Sequence, residues 1–94
     1  MFIDRLIWLP QFEDKIIGKH NVFPDEVEEV FLNKPRILFQ NKGYVENEDV
    51  YVALGQSDSG RYLVVFFVLK SERRALVISA RDMNQAERRR YGRK

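Results

Sequence analysis

The chain has 94 residues, of which 45% are hydrophobic and 32% charged, with no cysteine and one histidine. That length supports one domain, residues 1–94, with a modest core, and the apolar and aromatic content argues against disorder. The composition excludes a disulfide framework, thiolate metal sites, a cysteine nucleophile and a multi-histidine metal centre within one chain.

The net charge is +2, unevenly spread. Residues 1–72 carry 8 basic and 12 acidic side chains, a balance of −4, and residues 73–94 carry 8 basic and 2 acidic, a balance of +6. A basic end of this kind suits a nucleic acid, another anion or an acidic protein; a solvated helix face and tail is the plainer alternative. The longest apolar run, residues 62–69, falls far short of the roughly 20 residues a membrane helix needs. Charges at Asp4 and Arg5 interrupt the N-terminal stretch, which reads as neither a secretion signal nor a transit peptide. The expectation is a soluble cytoplasmic protein with no membrane partner.

In chain order, residues 2–9 predict a first strand or extended segment, with Trp8 in the core. Pro10 suits a helix N-terminus, and Phe12, Ile16 and His20 recur every four residues, which predicts a helix over 10–20. Pro24 opens a second helix, with Asp25 and Glu26 in its first turn and Val27, Val30 and Phe31 as its apolar stripe. Asn33, Lys34 and Pro35 end it. Residues 36–40 and 50–54 then read as strands, and 55–60 as a hairpin loop. Residues 62–69, apolar on both faces, predict a central covered strand. Residues 74–81 alternate, which puts Leu76, Ile78 and Ala80 on one face and Val77, Ser79 and Arg81 on the other. Residues 83–92 form a last, basic helix. Three or four hairpin-joined strands flanked by helices make an α+β domain.

These pieces resemble the BrnT family of ribonuclease toxins. The resemblance runs from Trp8 through Lys19-His20-x-Val22, Val30-Phe31, Gly55, Gly60-Arg61-x-Leu63-Val64-Val65 and Ile78-Ser79-Ala80-Arg81 to Glu87-Arg88-Arg89-x-Tyr91. It implies a RelE-like fold: a small antiparallel sheet with N-terminal helices and a C-terminal basic helix. It also implies RNA cleavage without a metal or other cofactor, and a neighbouring DNA-binding antitoxin as partner. The chain departs from the family pattern at Leu9, Phe12, Ile16, Asn21 and the stretch Glu48-Asp49-Val50, where an aspartate, a lysine and an asparagine, a glycine and an arginine are usual.

Metal-free cleavage by the 2′-hydroxyl needs a base, cations around the phosphate and an acid for the leaving 5′-oxygen. His20 is a candidate base or acid, since an imidazole titrates near neutral pH; alternatively it caps the apolar face of its helix. Arg61 and Arg81, near one end of neighbouring strands, are expected to converge as a phosphate grip. The alternatives are a cross-strand ion pair for Arg61 and a salt bridge to Glu87 for Arg81. Tyr91 is a stacking platform or proton donor, or a residue that docks the last helix. Lys19, Arg88, Arg89 and Arg90, with Lys15, Arg93 and Lys94 beside them, supply phosphate affinity or are simply solvated. Glu46, Glu48 and Asp49 read as exposed carboxylates rather than a metal site. A non-catalytic module of the same fold, binding an antitoxin-like protein or RNA, is the alternative function.

Overall fold

The computed structural model describes residues 1–43 and 48–93. Its elements are β1 (Arg5–Ile7), α1 (Pro10–His20), α2 (Pro24–Leu32), β2 (Arg36–Asn41), β3 (Val50–Gln56), β4 (Tyr62–Lys70), β5 (Arg74–Asp82) and α3 (Gln85–Gly92). The strands form one sheet in the order β1-β5-β4-β3-β2. Neighbours from β2 to β5 pair antiparallel, and β1 adds a parallel edge against β5. This is the expected α+β arrangement, with β4 at its centre.

Alternation along β4 serves two cores. Leu63, Val65 and Phe67 join Ile16, Val22, Val27 and Val30 beneath α1 and α2. Val64 faces the other way, with Val52, Leu54, Met83 and Tyr91 beneath α3. Each fully buried aliphatic or aromatic side chain contributes roughly 1.5–3 kcal/mol, so both faces hold β4 in place. Gly55 belongs to β3 rather than to a loop. It pairs with Leu63, and α2 lies so close that an added Cβ would stand 3.0 Å from Val30 Cγ1.

Three other expectations change. The first strand is three residues long because its parallel partner begins only at Arg74 and Pro10 then opens α1. The last helix starts at Gln85 under an Asn84 cap, and Met83 packs into the core instead. The alternation of β5 is broken by a bulge. Phe67 pairs with Val77 and Phe66 with Ser79, which leaves Ile78 without a partner. An extra residue reverses the side-chain direction of everything after it. Val77 and Ala80 therefore share the α1/α2 core, and Arg81 moves to the α3 face.

Candidate functional site

Arg61 precedes β4 on the α1/α2 side and is enclosed by acceptors. Its Nε donates to Asp82 Oδ1 at 2.7 Å and its Nη2 to Asp82 Oδ2 at 3.1 Å. Nη1 donates to the Asn21 carbonyl at 2.9 Å and to Glu26 Oε1 at 3.1 Å, and Nη2 reaches the His20 carbonyl at 3.4 Å. The five N–H groups of the guanidinium are all engaged. Arg61 thus ties the end of α1, the start of α2 and the end of β5 together. Glu26 is placed for this by its helix, since its Oε1 also accepts the Phe23 backbone N–H at the start of α2. Hydrogen bonds from Arg61 are the main reason Asp82 is held below the usual aspartate range. Burial opposes the shift, and the charges of Arg61 and then His20 add to it. His20 is half-buried at the end of α1, where its backbone carbonyl accepts from Arg61, and the Asp82 side chain is 63% exposed.

Arg81 does not converge with Arg61. Both lie at the same end of the sheet, but the bulge at Ile78 puts them on opposite faces. Asp82 occupies the place beside Arg61 that regular alternation gives to Arg81. On the α3 face, Arg81 Nη1 and Nη2 donate to Glu87 Oε1 and Oε2 at 2.8 and 2.9 Å, and Nη1 donates to the Asp82 carbonyl at 3.1 Å. Its Nε and one N–H of Nη2 have no acceptor among the described residues. Its guanidinium carbon lies 5.4 Å from the centre of the Phe66 ring. Glu87 also accepts the Asn84 N–H at 2.8 Å while Asn84 Oδ1 accepts the Glu87 N–H, a capping box that fixes the start of α3. Hydrogen bonds from Arg81 are the largest cause of the lowered Glu87 carboxyl.

The basic helix divides its residues between packing and solvent. Tyr91, at 7% exposure, is core, and its ring meets Tyr62 edge-on at 6.2 Å. That placement fits docking of α3 and leaves its ring largely covered. Tyr62 is the more accessible ring, and Arg88 lies over it at 4.1 Å. Arg36 Nη1 caps the end of α3 by donating to the Arg90 carbonyl at 2.9 Å. Arg36, Arg89, Arg90 and Arg93 line a cleft of about 340 Å³ with no carboxylate among its lining residues. Lys19 is exposed on α1.

Of the acidic trio, Glu48 pairs with Lys70 at 2.6 Å, Asp49 accepts the Gly43 N–H, and Glu46 lies outside the described residues. Among the described residues, no cluster of three or more acidic, histidine or cysteine side chains suits a metal ion. No helix among them is long and apolar enough to cross a membrane.

The departures noted in the sequence have structural readings. Leu9 is the N-cap of α1 and provides no side-chain cap. Ile16 is wholly buried. Asn21 holds the left-handed C-cap, φ 54° and ψ 37°, which asparagine tolerates better than other residues with a side chain. Sequence reasoning missed Asp82, Tyr62 and Phe66. Only the bulge brings Asp82 to Arg61, and both aromatics read as core in an apolar strand.

No curated protein matches the chain. Among solved structures, the ribonuclease toxin BrnT of Brucella abortus matches with a TM-score of 0.64 at 23% identity, covering 86% of this chain and 97% of that one. That likeness establishes the shared fold. The family described as ribonuclease toxin BrnT of type II toxin–antitoxin systems matches residues 8–87, and the chain belongs to that family.

Proposed function

We propose that the chain is a cytoplasmic endoribonuclease toxin that cleaves RNA without a metal and is neutralised by a DNA-binding antitoxin. The observation that carries this reading is the end of β5, where adjacent residues serve opposite faces. Arg61 ties Asp82 to the His20 end of α1 on one side, and Arg81 keeps unused donors on the other.

In this reading His20 accepts the proton of the 2′-hydroxyl, and the negative charge of Asp82 favours the imidazolium that forms. The 2′-oxygen bonds to phosphorus, and the P–O5′ bond breaks. The leaving 5′-oxygen takes a proton from water, and the His20 imidazolium returns its proton to the hydroxide left behind. Products are a 2′,3′-cyclic phosphate and a 5′-hydroxyl. Arg81, on the α3 face, holds a flanking phosphate together with Arg88, Arg89, Arg90 and Lys19. Arg61 is a positioning residue, because its donors are already committed to His20, Asn21, Glu26 and Asp82. Tyr91 acts by docking α3.

An antitoxin fits beside β1, which pairs with the start of β5 rather than with its Asp82 end. A groove of about 520 Å³ between β1 and α2 is lined by Phe2, Ile3, Leu6, Phe31 and Leu32 with Glu28 at its rim. Phe2 and Leu32 are 64% and 80% exposed, an apolar surface that suits a protein partner. The non-catalytic alternative is favoured by one observation, the internal engagement of Arg61.

Incubating the purified chain with RNA in excess chelator separates the two. Cyclic-phosphate ends that disappear in His20→Ala, with RNA retention unchanged, support the enzyme. Intact RNA with salt-sensitive retention supports the binding module. Cleavage that needs an added divalent ion, or survives in His20→Ala, contradicts the mechanism.

A further inference from the structure

An open cleft has the bulge residue Ile78 and its neighbour Ser79 in its lining, with Arg81 over one of its rings, Phe66. α3 packs on Val52, Leu54 and Val64 of the sheet face that carries Phe66, and Phe12 and Lys15 of α1 reach the cleft. The cleft is about 390 Å³, within the range of small-ligand sites, and is lined by Phe12, Gln40, Asn41, Phe66, Ile78 and Ser79, among others. The apolar members, Phe12, Phe66 and Ile78, are half-buried rather than packed away. Each ring has a cation over it: Lys15 Nζ lies 5.7 Å from the Phe12 centroid, and Arg81 lies 5.4 Å from that of Phe66. The polar members keep hydrogen-bonding capacity. The side chains of Gln40 and Ser79 have no partner among the described residues, and the Asn41 amide donates only to the Lys42 carbonyl.

Aromatic faces, flanking cations and unused amide groups are what a splayed nucleobase requires. The rings stack on the base, the cations take its phosphates, and amide or hydroxyl groups read its edge. We propose that this cleft is a nucleobase subsite, with the base against Phe66 and Phe12, its edge toward Gln40 and Ser79, and its phosphate toward Arg81. The inference rests on the reading of the chain as an RNA-acting protein. It adds a specificity element made partly by Phe12, one of the departures from the family pattern.

The test uses 2′-O-methyl hexamers, which 2′-hydroxyl attack cannot cleave, with either normal bases or abasic positions throughout. Both carry the same phosphates. The full chain should bind the base-containing hexamer about tenfold or more tightly than the abasic one, the size expected from stacking a single base. Phe66→Leu and Phe12→Leu should each shrink that ratio. Gln40→Ala, at an exposed position, should alter the order of affinities among the four homopolymers and covers the case in which Phe66→Leu fails to fold. Equal binding of the two hexamers by the unaltered chain would overturn the subsite while leaving the ribonuclease reading intact. A ratio untouched by the Phe12 and Phe66 variants would place stacking elsewhere and overturn it too. Binding of neither hexamer would overturn both readings.

Discussion

Arg61 and Asp82 form a two-pronged ion pair across the end of the β4–β5 hairpin, with Nε 2.7 Å from Oδ1 and Nη2 3.1 Å from Oδ2. The pair exists because one extra residue in β5, Ile78, shifts the register. Asp82 then falls opposite Leu63, on the face of Arg61, and Arg81 falls opposite Val64. An expected pair of cations is replaced by a cation and an anion.

Arg61→Ala should therefore behave as a structural lesion. It strips partners from Glu26, Asp82 and two carbonyls, and the expected cost is about 2 kcal/mol. In a domain of this size that is a fall of roughly 10 °C in melting temperature. Arg61→Lys should recover part of it, since it restores the charge but not the fork. Thermal melts followed by circular dichroism check both; an unchanged midpoint in Arg61→Ala would refute the tying role.

Glu87→Gln should strengthen RNA binding. Glutamine preserves the capping box with Asn84 but relaxes the carboxylate's hold on Arg81. An increase of severalfold in affinity for an uncleavable RNA at low salt is expected, with a modest fall in melting temperature from the weakened pair. Weaker binding would mean that Glu87 orients Arg81 for its ligand rather than competing for it.

Two positions in and after α1 separate backbone from side-chain effects. Gly18 lies within the helix, and an added Cβ meets nothing within 4 Å. Gly18→Ala should stabilise the chain by roughly 0.5–1 kcal/mol. Asn21, with φ 54°, should accept glycine without loss. Asn21→Val should cost about 1–2 kcal/mol, because a branched side chain is strained in the left-handed region. Denaturant melts of the three variants check the order.

Acid should loosen the end of the sheet first. Arg61 lowers the Asp82 carboxyl and Arg81 lowers the Glu87 carboxyl. A carboxyl depressed in the folded state stabilises fully above its unfolded value, around pH 4, and loses that contribution as pH falls through the folded value. Stability should therefore decline below about pH 4. Arg61→Ala and Arg81→Ala should each flatten the decline. Identical slopes in the variants and the parent chain would show that other groups govern acid unfolding.

The helices and the inner strands were legible because their signals are local. Pro10 and Pro24 mark helix starts, and Val50, Val52 and Leu54 alternate. The bulge was not legible, since Ile78 is a good strand residue on either face and only pairing with β4 shows it to be surplus. The site inherited that error. Arg61 and Arg81 were placed at the correct end of the sheet, but the face of Arg81 depends on a non-local register. Tyr91 was likewise ambiguous: helical spacing puts it near Glu87, yet its burial depends on the apolar surface offered by Val52, Leu54 and Val64.

The division of labour between the two arginines is tested most directly by the affinity of an uncleavable 2′-O-methyl RNA for Arg61→Ala and Arg81→Ala, measured at a temperature where both are folded. The account predicts a loss of about tenfold or more in Arg81→Ala, the scale of one charge-assisted contact, and a change within about twofold in Arg61→Ala. A folded Arg61→Ala that loses as much affinity as Arg81→Ala, or more, would contradict it.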